Sequence, residues 1–199
     1  MPTARQKTLE ECTTAPEAVL ELTSAFVGAS GAVSPECEEV AASDIPEPFH
    51  WLLVHRNHMT KVLEAQYGRP MQLDVLEHHL DDDFYTRKIL LRPQGTDQVV
   101  EIGIVRLNFR FMGREVREEI LARHTPLGAI LIRHKVLRKV QPRWYMKFPA
   151  SAPLLEAAGV AFAHTTYGRI GTIYCNGEPA IEVLEVVSGL EKTFDERVL

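Results

Sequence analysis

The spacing of apolar residues changes twice along this chain, and the changes divide it. Within residues 1–45, Val19, Leu20, Leu22, Phe26 and Val27 recur at helical spacing and predict one stripe. Gly28 to Pro35 then reads as a flexible break. The segment is rich in Ala, Glu, Ser and Thr and is read as an N-terminal extension, partly helical and partly mobile, ahead of a domain over 46–199. Pro46 and Pro48 suit the opening of a helix carrying Phe49, Leu52 and Leu53. A second helix is predicted from Thr60, as its cap, to Tyr67, with Gly68 ending it in the left-handed region.

From Pro70 the period falls to two. Met71, Leu73 and Val75 alternate with polar neighbours, Phe84–Arg92 forms a second strand, and Gln98–Phe111 a third. In that third run the apolar phase is even at Val100, Ile102 and Ile104 and odd at Val105, Leu107 and Phe109, which predicts a bulge near Ile104–Val105. Helical spacing returns over 114–122 and again from Pro126 to Ile132. Val136–Phe148 is extended, with Pro142 placing it at an edge or a bulge. Tyr167–Cys175 and Pro179–Val187 flank Asn176-Gly177, the strongest short-range hairpin signal. Long helices and strands do not alternate, so the expectation is an α+β fold: a single antiparallel β-sheet with helices inserted between its hairpins.

Composition narrows the function classes. The 199 residues carry a net charge of −5, which argues against nucleic acid as a partner, although basic residues gather in Arg133–Arg143. Three widely spaced cysteines, no apolar leader and no run of ~20 apolar residues point to a cytoplasmic chain without a membrane span. Oligomeric state is not encoded legibly; a monomer is the simpler reading. His55, His58, His78 and His79 lie near Asp81-Asp82-Asp83, but adjacent histidines on a strand point to opposite faces, so no metal and no cofactor are expected.

Four local patterns occur in a telling order. They are Trp51-Leu52-Leu53-Val54 with Met59-Thr60-Lys61-Val62-Leu63-Glu64; Arg87-Lys88-Ile89-Leu90-Leu91; Thr125-Pro126-Leu127-Gly128; and Tyr167-Gly168-Arg169 with Gly177-Glu178-Pro179 and Leu184-Glu185-Val186. Over roughly Pro48 to Val187 this series resembles the chorismate–pyruvate lyase family, including the 4-hydroxybenzoate synthases of ubiquinone and phenolic-lipid pathways. The resemblance implies about six antiparallel strands, a ligand site buried under helical flaps, and metal-free, cofactor-free conversion of chorismate to 4-hydroxybenzoate and pyruvate. Residue by residue it implies that Arg87 grips the ligand carboxylate and that the Met59 and Leu127 amides bind ligand oxygen. Glu185 would meet the ring hydroxyl, and Arg87 and Glu185 together would be catalytic.

The chemistry of the residues is compatible with those roles. A guanidinium offers two parallel donors to a carboxylate, and a charge in the middle of an apolar strand demands a partner. That partner could equally be a protein carboxylate. Glu185 fits the family pattern with a one-residue shift, and Glu182 is the other candidate. Arg169 reads as a strand-edge surface residue. The family's second arginine aligns near Gly103–Ile104, where no basic residue stands; Arg106 is the nearest. Two further readings therefore stay open: a non-catalytic small-carboxylate module, the sheet architecture also occurring as the effector domain of bacterial transcription regulators, and an enzyme acting on another small carboxylate.

Overall fold

The structure is a computed structural model that describes residues 7–26 and 35–189. Seven strands form one sheet: β1 Glu38–Val40, β2 Met71–Asp81, β3 Phe84–Pro93, β4 Glu101–Asn108, β5 Arg138–Phe148, β6 Thr166–Cys175 and β7 Glu178–Val187. Their order is β1-β5-β6-β7-β4-β3-β2, and every neighbouring pair is antiparallel. The α+β expectation holds, with seven strands rather than six; the additional short β1 comes from the segment ahead of Pro46. Asn176 and Gly177, at φ 54° and 93°, make the tight β6–β7 turn that the Asn-Gly pair predicts.

Among the described residues six α-helices accompany the sheet: α1 Ala15–Thr23, α2 Phe49–Leu53, α3 Met59–Tyr67, α4 Arg114–Ala122, α5 Leu127–Arg133 and α6 Pro153–Ala157. On one face, α1 and α6 pack over Leu90, Ile102, Ile104, Ile170, Leu184 and Val186. In α1 the inward stripe is Ala15, Ala18, Val19 and Leu22, whose two alanines let the helix lie close to the strands. Leu20 is only partly buried, Phe26 packs at the margin of this core, and Val27 lies outside the described residues, as does most of the Gly28–Pro35 break.

The other face carries two separate cores. Helices α4 and α5 cover Val105, Leu107, Ile173, Ile181 and Val183. Helices α2 and α3 cover Ile89, Leu91, Val100 and Val187. Each Leu, Ile or Val so buried contributes about 1.5–3 kcal/mol relative to exposure. The two cores leave a seam between α3 and α5, and the site lies there.

Two local expectations are corrected. No bulge interrupts β4: its register with β3 and β7 is continuous through Ile104 and Val105. Helices cover both faces of this central strand, so it is apolar on both, and the apparent change of phase is simply two buried faces. The register shifts fall instead at Val75/Glu77 in β2, at Pro142/Trp144 in β5 and at Ile173/Tyr174 in β6. The cap of α3 is His58 rather than Thr60, while Gly68 closes the helix at φ 66° as expected.

Candidate functional site

The register of the sheet lays out the floor of the site. In one row Arg87 stands opposite Val105 and Val105 opposite Val183. In the next, Ile89, Gly103, Glu185 and Arg169 follow across β3, β4, β7 and β6. In the third, Leu91, Glu101 and Val187 are aligned. With strands ~4.8 Å apart and ~6.7 Å between same-face residues, the backbones of Arg87 and Glu185 lie about 12 Å apart. Gly103 keeps the centre of this grid low. A Cβ there would come within 2.8 Å of Ile89 Cγ1 and 3.4 Å of Glu101 Oε1.

The roof comes from two helix starts. His58, Met59 and Thr60 open α3, and Pro126, Leu127 and Gly128 open α5. Gly128 allows the close approach of the two: a Cβ on it would lie 3.2 Å from His58 Cβ and 3.3 Å from Thr60 Oγ1. No side chain caps α3. Its His58 ring accepts a 2.6 Å hydrogen bond from Arg138 Nε instead, and burial together with Arg138 pushes the imidazole pKa down to about 4. The Lys61 amide bonds the His58 carbonyl at 3.0 Å, which leaves the Met59 and Thr60 amides for another acceptor.

Floor and roof enclose a small cavity of about 40 Å³. Arg87, Met59, Leu127 and Glu185, predicted from four distant segments, all line it. Arg87 is 0% exposed, and its Nε, Nη1 and Nη2 have no hydrogen-bond partner among the described residues. Burial pushes the guanidinium pKa down to about 10, and the nearby Tyr85 opposes the shift; the group remains charged at neutral pH. Among the described residues the alternative of an internal ion pair to a protein carboxylate is not realised. The Tyr85 hydroxyl, also on β3, is likewise buried without a partner.

Glu185 differs from Arg87 in being held. Its Oε2 accepts a 2.6 Å bond from Arg169 Nε. Arg169 is 2% exposed, which corrects its reading as a surface residue. Its other N–H groups reach the carbonyls of Leu53 (3.0 Å), His55 (2.9 Å) and Asn57 (3.3 Å). One guanidinium thus ties Glu185 to the loop that delivers Met59, so Arg169 positions both floor and roof. Glu182, the competing candidate, points through the opposite face to Arg106 and the N-terminal segment. Arg106 lies on that opposite face too, so it does not supply the family's missing second arginine.

Glu101 was not picked out from the sequence. It lines the cavity beside Glu185, and its Oε2 is buried and unpartnered. Burial first, and Glu185 second, hold its pKa well above the ordinary glutamate value, against the opposing pull of Arg169. Its only sequence signal was a lone acid opening an apolar strand. Nothing local says that the strand is covered on both faces. The histidines do not converge: His78 contacts Arg123 and Tyr85, His79 packs on Phe26, and His55 serves Arg169. Among the described residues no three His, Cys, Asp or Glu side chains form a metal-ligand group, and no helix is long and apolar enough to cross a membrane.

No family model and no curated protein matches the chain. Solved structures do. PhnF from Mycobacterium smegmatis matches at a TM-score of 0.51 and 12% identity, over 70% of this chain and 67% of its own. A protein of Escherichia coli CFT073 described as a regulator matches at 0.45 and 12%, over 61% and 98%. YydK of Bacillus subtilis, described as a transcriptional regulator, matches at 0.42 and 10%, over 61% and 58%. At these identities the likeness is one of fold, the chorismate lyase-like α+β fold. It also corrects the expected activity. Two of the three are described as regulators and none as a lyase, and the reading as a chorismate–pyruvate lyase of ubiquinone biosynthesis is overturned. The catalytic roles of Arg87 and Glu185 fall with it.

Proposed function

We propose that this chain is a ligand-binding module that takes a small carboxylate into the Arg87 cavity without transforming it. The carrying observation is Arg87 itself. A guanidinium that is wholly buried, charged at neutral pH and without any partner among the described residues is unfavourable in the empty chain. An anion that fills the space relieves that cost, and a carboxylate matches two of its N–H groups in parallel. The roof adds the Met59 amide at the uncapped start of α3 and the Leu127 segment, while Glu185, fixed by Arg169, bounds the far end. The apolar walls formed by Ile89, Leu91, Val105, Ile173 and Val183 suit a flat hydrocarbon body between two polar ends. In such a module the roof segments are the natural reporters of occupancy, because they meet the ligand through backbone rather than through long side chains.

Calorimetric titration with benzoate and 4-hydroxybenzoate, on wild type and Arg87→Ala, tests the reading. Removing one partner of a buried charge pair costs about 2–5 kcal/mol, or roughly 30-fold to several thousand-fold in affinity. Equal affinities for wild type and variant would overturn it, and so would turnover of a bound carboxylate.

A further inference from the structure

The cavity contains a second unpartnered group that carboxylate binding at Arg87 leaves unused. Glu101 is 3% exposed, and its Oε2 has no hydrogen-bond partner among the described residues. The cation nearest to serving it is already engaged: Arg169 gives its Nε to Glu185 and its remaining N–H groups to the Leu53, His55 and Asn57 carbonyls. Glu185, ion-paired and two residues along the grid, places a like charge beside it. An ionised carboxylate in that setting would be buried, unpaired and repelled. A protonated one needs only an acceptor.

We propose that Glu101 is the specificity group of the cavity: its protonated carboxyl donates a hydrogen bond to an uncharged hydroxyl or carbonyl oxygen at the ligand end remote from the anionic head. The inference rests on the carboxylate-binding reading and sharpens it to a ligand class, monoanions with a neutral oxygen at the far end.

The charged and titratable groups around Glu101 come from each element packed there. Glu185 lies on β7, Arg169 on β6 and Arg87 on β3, and His58 stands at the start of α3 with His55 in the loop before it. Burial pushes both imidazoles down, helped by Arg138 at His58 and by Arg169 at His55, so neither supplies a cation at neutral pH. The raised pKa of Glu101 follows from the same burial.

Titration of the full chain with benzoate and with 4-hydroxybenzoate separates this inference from the reading beneath it. The hydroxyl should add at least about tenfold in affinity, ~1.4 kcal/mol, in wild type and in Glu101→Gln, and nothing in Glu101→Leu. In wild type that increment shrinks as the pH rises through the Glu101 pKa; in Glu101→Gln it stays flat. A ligand-free check is the infrared band of a protonated carboxyl at neutral pH, present in wild type and lost in Glu101→Gln. Arg87-dependent benzoate binding with the same hydroxyl increment in all three proteins overturns the inference and leaves the carboxylate reading standing. A band that survives in Glu101→Gln does the same. Failure of benzoate to bind wild type overturns both.

Discussion

Arg106 and Arg87 are both deeply buried in one sheet, yet the molecule treats them in opposite ways. Arg106 emerges on the α1 face. Its Nε bonds Glu182 at 2.6 Å, its Nη1 bonds Glu21 of α1 at 3.1 Å, and its Nη2 bonds the Lys7 carbonyl at 2.5 Å. Glu182 in turn accepts from the Leu9 amide at 2.5 Å. Arg87 emerges on the other face with nothing to bond among the described residues. The first network closes on the chain itself and fastens the N-terminal segment to the sheet. The second stays open, and its incompleteness is what points outward. The paired charge accounts for how the N-terminal segment is fastened, and the unpaired one is the observation on which the proposed carboxylate site rests.

The largest effect should come from breaking the closed network. Glu182→Ala leaves Arg106 buried with one partner fewer and removes the anchor of the Leu9 amide. A loss of about 3–5 kcal/mol in urea unfolding is expected. A loss below 1 kcal/mol would show that the network is dispensable and would dissolve the contrast.

Arg87→Leu should act in the opposite direction. It removes an unsatisfied buried cation and replaces it with a side chain that suits Ile89 and Val105. Stability should hold or rise by about 1–3 kcal/mol while carboxylate binding disappears. A destabilised variant would mean that Arg87 has a structural partner after all.

The same contrast explains what could be read from the sequence. Asn176-Gly177, the antiparallel strands and the gathering of Arg87, Met59, Leu127 and Glu185 at one cavity were legible, because turn chemistry is local and the four patterns keep their order. The apparent bulge at Ile104–Val105 was an error of context: periodicity records which residues are apolar, and on β4 both faces are buried. Arg169 looked like a surface residue for the related reason that its partners, Glu185 and three carbonyls of the 53–57 loop, are distant in sequence. The pairing of Arg106 with Glu182 and Glu21 was equally invisible, since nothing before folding brings residue 21 beside residue 106. The activity was misread on different grounds. A family's fold can be present without its reaction.

The smallest effect concerns Glu101, where the open network meets pH. Its native pKa is raised by burial, so the folded chain retains a proton that the unfolded chain releases once the pH passes the ordinary glutamate range. The sign follows directly: the folded state is progressively disfavoured as the pH climbs from that range to the native pKa, and above it the loss is complete. Glu101→Gln cannot ionise and escapes this penalty. It should match wild type in acid, gain on it as the pH rises, and level off above the native pKa. Denaturant midpoints measured for both proteins across the pH range, at fixed ionic strength, check this. A difference that is constant with pH would show that Glu101 ionises alike in both states. In that event the carboxyl has found a cation, the open end of the cavity is closed, and the contrast with Arg106 survives at Arg87 alone.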